Sequence, residues 1–335
     1  MPPTLAIVLV VLLTVGAGGA APVVTSERGR RVDTDVGGTV QAEMRHVDFH
    51  IDSGIVLHIQ HLRGELVPAA AGAIPTLDDK ASFSLSIHTA EISIDTTSLG
   101  ILLNRHVFGY RGSPLKKLRV GIEGDQLVQT GVMRKGVDLP FRIRATVGLT
   151  PDGRIRIHPT AVRVLGMGVT SAMKFFGVQL GGLMKLQPGR GASIEGNDFI
   201  LDALKILPPP RIRGRLTGIA VVGGAIRQTF SPTAGQDIRS LRAVSSGAPN
   251  YMFFRGGTLR FGKLTMANAD LLIVDRDPAN VFDFSLDRYN DQLVAGYSKS
   301  TAALGLVVHM PDLRTLGRKT LAPAKASPVT RAPKP

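Results

Sequence analysis

The sequence predicts an α+β fold: a long curved antiparallel β-sheet wrapped around apolar helices, with a smaller C-terminal α/β extension. Three observations predict it. Apolar residues recur at every second position in many short runs, which is the strand period. Gly-containing turns such as Asp52-Ser53-Gly54, Gly124-Asp125 and Pro151-Asp152-Gly153 separate those runs. Two segments, 98–108 and 170–186, are apolar on most sides, and helices of that kind need to be enclosed.

Taken in order, residues 1–21 read as a secretory leader. Leu5 to Val15 is apolar apart from Thr14, and the small residues Gly16 to Ala21 follow it. That order matches an h-region and a cleavage region, with cleavage expected after Ala20 or Ala21. The run is about half of the roughly 20 residues that span a bilayer. Residues 22–42 are a polar lead. A domain is expected over 43–230, a linker over 231–250, the C-terminal strand and helix block over 251–312, and a basic tail over 313–335.

Within the domain, Val47, Phe49 and Ile51 alternate with polar residues, as do Leu57 and Ile59. A three-residue loop Asp52-Ser53-Gly54 sets Phe49 opposite Leu57 and Val47 opposite Ile59, with Gly54 free to take positive φ. Phe83, Leu85 and Ile87 are in one phase, and Ala90, Ile92 and Ile94 in the other. The slip near Thr89 predicts a bulge or bend. The first helix, about 98–108, has Asp95, Thr97 or Ser98 as its cap and a stripe of Leu99, Leu102, Leu103 and Val107.

Further strands follow at Leu118–Ile122, Phe141–Leu149 and Ile155–Ile157, the last two joined through Pro151-Asp152-Gly153. The second helix carries Met173, Phe175, Phe176, Leu180, Leu183 and Met184. Strand segments near 192–202 and 212–222 flank Pro208-Pro209-Pro210. In the C-terminal block, strands are expected at 258–261, 269–274 and 304–310. Phe282, Leu286, Tyr289, Leu293 and Tyr297 are spaced as the core stripe of a helix over 283–297.

Composition narrows the function. There is no Cys, hence no disulfide, lipobox or thiolate metal site. The net charge is +14, and six basic residues without an acid follow Asp312, so the rest carries +8. A basic exported body points to anionic envelope partners such as lipid headgroups or an anionic membrane surface. Nucleic acid is not expected, because Trp is absent and aromatics are few. A protein partner in the envelope stays open.

Three constellations carry potential chemistry. If the Pro-Asp-Gly turn closes a three-residue loop, Arg142 and Arg144 on one strand and Arg154 and Arg156 across the turn share one polar face; such a face suits headgroup phosphates or simple solvation. Arg211, Arg213 and Arg215 repeat the pattern. His46, Asp48 and His50 with His58 across the hairpin have the ligand types of zinc, though alternating polar residues also arise on any exposed strand face, and no metal is expected. Asp275, Asp277, Asp283, Asp287 and Asp291 are read as turn, cap and helix-surface residues. No nucleophile elbow, zinc-protease helix, Walker loop or dinucleotide fingerprint occurs; no enzyme activity and no cofactor are expected.

The segments Thr97-Ser98-Leu99-Gly100-Ile101-Leu102-Leu103-Asn104, Leu127-Val128-Gln129-Thr130-Gly131 and Pro151-Asp152-Gly153-Arg154-Ile155-Arg156-Ile157-His158-Pro159 appear in a characteristic order. Ile194-Glu195-Gly196-Asn197-Asp198 and Leu207-Pro208-Pro209-Pro210 follow. By this order, over roughly residues 80–230, the chain resembles LmeA-like bacterial exported proteins of the tubular lipid-binding (TULIP) superfamily. The resemblance implies a bent sheet around a helix and the binding, carrying or sensing of an envelope lipid. It carries over no lipid-contact residue, and the apolar helices themselves make Leu99, Leu102, Leu103, Val107, Met173, Phe175 and Phe176 the expected groove or core residues. Two rivals remain: an envelope adaptor with a dry core, and a lipid or glycan hydrolase using Asp275, Asp277 or the His46/His50 pair.

Overall fold

The computed structural model describes residues 38–135, 137–165, 186–232, 247–302 and 305–316. The residues expected to form a leader, those expected to form a second helix with Met173, Phe175 and Phe176, most of the 231–250 segment and most of the basic tail lie outside the described residues. The described chain is β-rich, in two large, open, curved sheets with short helices.

The larger sheet has eleven strands. Its centre is β1 (Val40–Asp52), β2 (Ile55–Pro68) and β3 (Phe83–Asp95). The β1–β2 register sets Phe49 opposite Leu57 and Val47 opposite Ile59, as the alternation requires. Gly54 closes the turn at φ +76°. Between β2 and β3 the pairing steps from Arg63–Thr89 to Gly64–Ile87, which leaves His88 as the extra residue. This is the bulge that the phase slip predicts. It depends on a glycine: a Cβ on Gly64 would lie 2.2 Å from the Ser86 carbonyl oxygen.

The strands β13 (Tyr251–Phe261) and β14 (Leu264–Asp275) extend this sheet from β1, and β17 (Leu306–Met310) and β16 (Tyr297–Ser300) complete that side. On the other side, β12 (Ala225–Phe230) and β11 (Leu216–Val222) follow β3. Both long strands divide one edge between two partners. β1 pairs antiparallel with β13 and then parallel with β15 (Phe282–Ser285), while β3 takes β12 and then β10 (Arg211–Arg213). Residues 251–310 therefore share a sheet and a core with residues 40–68.

The helix expected over 283–297 is corrected. Only Tyr289–Ala295 is helical (α3), Phe282–Ser285 is a strand, and Tyr297 begins β16. Phe282, Phe284 and Leu286 are buried at alternate positions, a period-two pattern hidden inside the apparent helical stripe. Asp283, expected as a cap, is buried and bonded to His50 instead. Asp287 precedes the helix and pairs with Lys80 at 2.5 Å, and Asp291 pairs with Arg288 at 3.0 Å.

The second sheet has six strands in the order β4 (Leu115–Glu123), β5 (Gln126–Lys135), β6 (Val137–Leu149), β7 (Ile155–Val164), β9 (Asp198–Leu201), β8 (Ala192–Glu195). The β6–β7 turn is the three-residue loop expected, since the Thr150 N–H donates to the Arg154 carbonyl at 2.9 Å. Helix α1 (Thr96–Leu102) runs into a π-turn at Leu103–Val107 and packs against β2 and β3 of one sheet and β4 of the other. A short helix α2 (Ala203–Ile206) follows β9.

Candidate functional site

The site with the clearest chemistry is an apolar crevice where the two sheets meet over α1. Asp95 starts that helix by accepting the Ser98 N–H at 2.8 Å. This satisfies one of the open donors at a helix start. Ser98 Oγ donates to the other Asp95 oxygen at 2.8 Å and accepts the Val56 N–H at 3.1 Å, tying the cap to β2. Further along, the Asn104 amide donates to the Gly100 and Leu118 carbonyls and accepts the Leu118 N–H, fixing the helix to β4.

So anchored, α1 turns Leu99 and Leu102 into the crevice. Leu57 and Ile94 come from the large sheet, and Leu127, Val147, Ile155 and Ile157 from the small one. Leu201 and α2, with Ile219 and Ile226 of the β11–β12 hairpin, complete the lining. Gln228 is the one polar residue among the fifteen that line it. The open mouth included, the space is about 510 Å³, within which the cavity proper is about 40 Å³. That is room for a few waters at most and well below the about 300 Å³ of a formed ligand site. A chain-like ligand has to part the two sheets.

Of the expected groove residues, Leu99 and Leu102 line the crevice, whereas Leu103 and Val107 are buried in the core beside it. The walls from β6, β7, α2 and β11 were not singled out in the sequence. Ile155 and Ile157 show only as a strand alternation there, and nothing local says that their face meets α1.

A second concavity, about 430 Å³, lies on β1 and β2 around His46, Gln60 and His61. It is larger but polar, and its carboxylate is engaged: Glu43 accepts from Arg63 at 3.1 Å and from the Tyr251 hydroxyl at 2.6 Å.

The expected histidine set does not converge. His58, opposite Asp48 in register, contacts Asp48 at 2.8 Å through Nδ1 and Asp95 at 3.3 Å through Nε2. His50 contacts Asp283 at 2.5 Å, and His46 contacts the Pro249 carbonyl oxygen at 3.2 Å and the Gln60 amide at 2.8 Å. Among the described residues no cluster suits a metal ion. The bond to Asp48 raises the His58 pKa, burial opposes it, and Asp95 adds to the rise. Burial works to raise Asp95, but its bonds to Ser98 and His58 leave it below the usual carboxylate range.

The acidic residues are likewise engaged. Asp275 accepts the Asp277 N–H at 2.9 Å and the Asn250 amide at 3.2 Å, and burial pushes its carboxyl up to about 6. Asp283 accepts the Arg314 N–H at 2.9 Å, and its own N–H donates to Asp312 at 2.8 Å.

The four arginines of the expected headgroup face differ in their surroundings. Arg142 and Arg144 both hold Glu123, and Arg154 holds Asp152 and Glu195 at 2.6 Å each. Arg156 is exposed and makes no ion pair among the described residues. Arg211 and Arg213 lie exposed on β10.

Comparison of the chain with protein-family models, with curated proteins and with solved structures finds no match.

Proposed function

We propose that this is an exported cell-envelope protein that binds or carries a lipid, a phospholipid by class, with its acyl part held between the two sheets. The observation that supports the reading is the crevice over α1, whose lining is apolar except for Gln228. Aliphatic side chains without ring stacking suit an acyl chain, which has no shape to match. The outward face with Arg142, Arg144, Arg154 and Arg156 meets anionic headgroups; of these, Arg156 has its charge uncommitted. No step of the reading needs a bond to be made or broken, so the protein is read as a binder and not an enzyme.

The test is native mass spectrometry beside a solvent extract of protein purified from a bacterial periplasm. A discrete mass excess that appears as phospholipid in the extract supports the proposal. An apo mass that persists after incubation with liposomes overturns it.

One observation favours a second reading, an envelope adaptor with a dry core. The cavity proper, about 40 Å³, is smaller than a formed ligand site. That reading expects the apo mass and a stoichiometric protein partner.

A further inference from the structure

The six-stranded sheet is electrostatically polarised along its strands. The β4–β5 and β6–β7 turns lie at one end and carry Glu123, Asp125 and Asp152. The other end, where β6 starts and β7 finishes, is different. Register places Arg119, Thr130, Arg142 and Arg163 in one row across four strands. Two residues nearer the end on β5 and β6, and therefore on the same face, Val132 and Pro140 form the next row. Lys116 joins it opposite Val132 across a register shift in β4, and the Leu165 N–H extends it by donating to the Pro140 carbonyl at 3.0 Å. Arg134 and Asp138 face each other beyond it.

Two properties of this end ask for a partner. Arg119, Arg163 and Lys116 are exposed and make no ion pair among the described residues, and Arg142 stands directly opposite Arg163. Arg142 already holds Glu123, which it shares with Arg144, whereas Arg163 opposite it makes no ion pair among the described residues. Like charges across a strand pair disfavour the sheet, so a counter-charge laid on Arg163 and Arg119 would stabilise this row. Large apolar side chains are also exposed at this end: Leu165, in the row with Pro140, is 72 % exposed, and Val137, the first residue of β6 and on the opposite face by alternation, is 64 % exposed. Cations beside solvent-facing apolar groups match an anionic bilayer surface, where the charges meet phosphates and the apolar groups enter the acyl boundary. A soluble polyanion would use the charges alone.

We infer that the end of the six-stranded sheet bearing Arg119, Arg163, Lys116, Val137 and Leu165 is a docking surface for anionic phospholipid membranes. The inference rests on the reading of this protein as one that works at a membrane. It does not require lipid to enter the crevice.

Co-sedimentation of the purified protein with phosphatidylglycerol-containing vesicles, and with phosphatidylcholine vesicles as control, tests it. Binding is expected only to the anionic vesicles. Each cation removed should weaken it about fivefold, so Arg119→Gln with Arg163→Gln gives about a 25-fold loss. Val137→Asn with Leu165→Asn, at exposed positions that leave folding intact, should also lower vesicle binding. Val222→Asn, exposed on the other sheet, should not. Equal binding by the arginine variant and the native chain overturns the proposal. So does a Val137→Asn/Leu165→Asn protein that binds as well as native, which would indicate a purely electrostatic polyanion site. Lipid content by native mass spectrometry on the same variants separates the two claims: docking can fail with bound lipid intact, and bound lipid can be absent with docking intact.

Discussion

One hydrophobic core holds two regions built on opposite plans. Beneath the C-terminal half of the large sheet, aromatic rings stack in series. Phe49 and Phe284 have centroids 5.8 Å apart, Phe284 and Tyr289 6.3 Å, and Tyr289 and Phe261 5.1 Å. The buried polar groups around them are bonded: the Gln292 amide accepts the Ser285 N–H at 2.9 Å and donates to the Asp283 and Pro311 carbonyls at 2.9 Å each. The crevice over α1 has neither rings nor such a network. Apart from Gln228, its walls are Leu, Ile, Val and Ala around residual space. Ring stacking and satisfied polar networks fix one arrangement, whereas aliphatic walls with space between them can separate at lower cost. On the proposed function, the acyl chain would enter between the sheets and not under the aromatic cluster.

Substitutions in the first region should be costly and leave lipid binding alone. Phe284→Ala is expected to lose about 3–5 kcal/mol, read from the urea midpoint, while the folded fraction keeps its lipid. Asp283→Ala strips a charged partner from His50 and an acceptor from the Arg314 N–H and should cost about 2–3 kcal/mol. If either change emptied the protein of lipid while it remained folded, the two regions of the core would not be independent.

At the crevice the effects are smaller in stability and larger in function. Asp95→Ala removes the cap of α1 and one partner of His58. It should cost about 1–2 kcal/mol and speed lipid exchange with vesicles, because the crevice floor loosens.

The smallest effect is pH dependence. His58 has its pKa raised above 6.5 in the folded protein, so its contribution to stability is complete below pH 6.5. That contribution is lost as pH rises through the folded value. Asp275, at about 6 against 3.8, destabilises progressively as pH rises between those values and is nearly constant above them. Urea unfolding from pH 6.5 to 8.5 should therefore show stability falling with pH, and His58→Gln should flatten the fall. An unchanged slope would show that the Asp48 and Asp95 contacts carry no charge coupling.

The sequence disclosed what is local. The register of Phe49 on Leu57, the bulge beside Thr89 and the loop before Arg154 each follow from spacing and turn chemistry. For the cap of α1 the sequence offers Asp95, Thr97 or Ser98, and the structure selects Asp95. Long-range pairing was not legible. Phe282-Asp283-Phe284-Ser285 fits a helix stripe or a strand equally well until β1 supplies a parallel edge and His50 supplies a partner for Asp283. The same limit applies to the site. Leu99 and Leu102 stand out on α1, but Ile155, Ile206 and Ile219 join them only because the two sheets meet there. Arg119 and Arg163 are 44 positions apart in the chain and share a row only through two intervening strands.

The most direct test of the account is to fill the crevice. Ile219 is only partly buried at its wall, so Ile219→Phe adds bulk where space exists. Native mass spectrometry of both proteins after incubation with phospholipid vesicles should show a lipid adduct on the native chain and its loss from a folded Ile219→Phe variant. An adduct of equal intensity on both would place the lipid elsewhere and contradict the account.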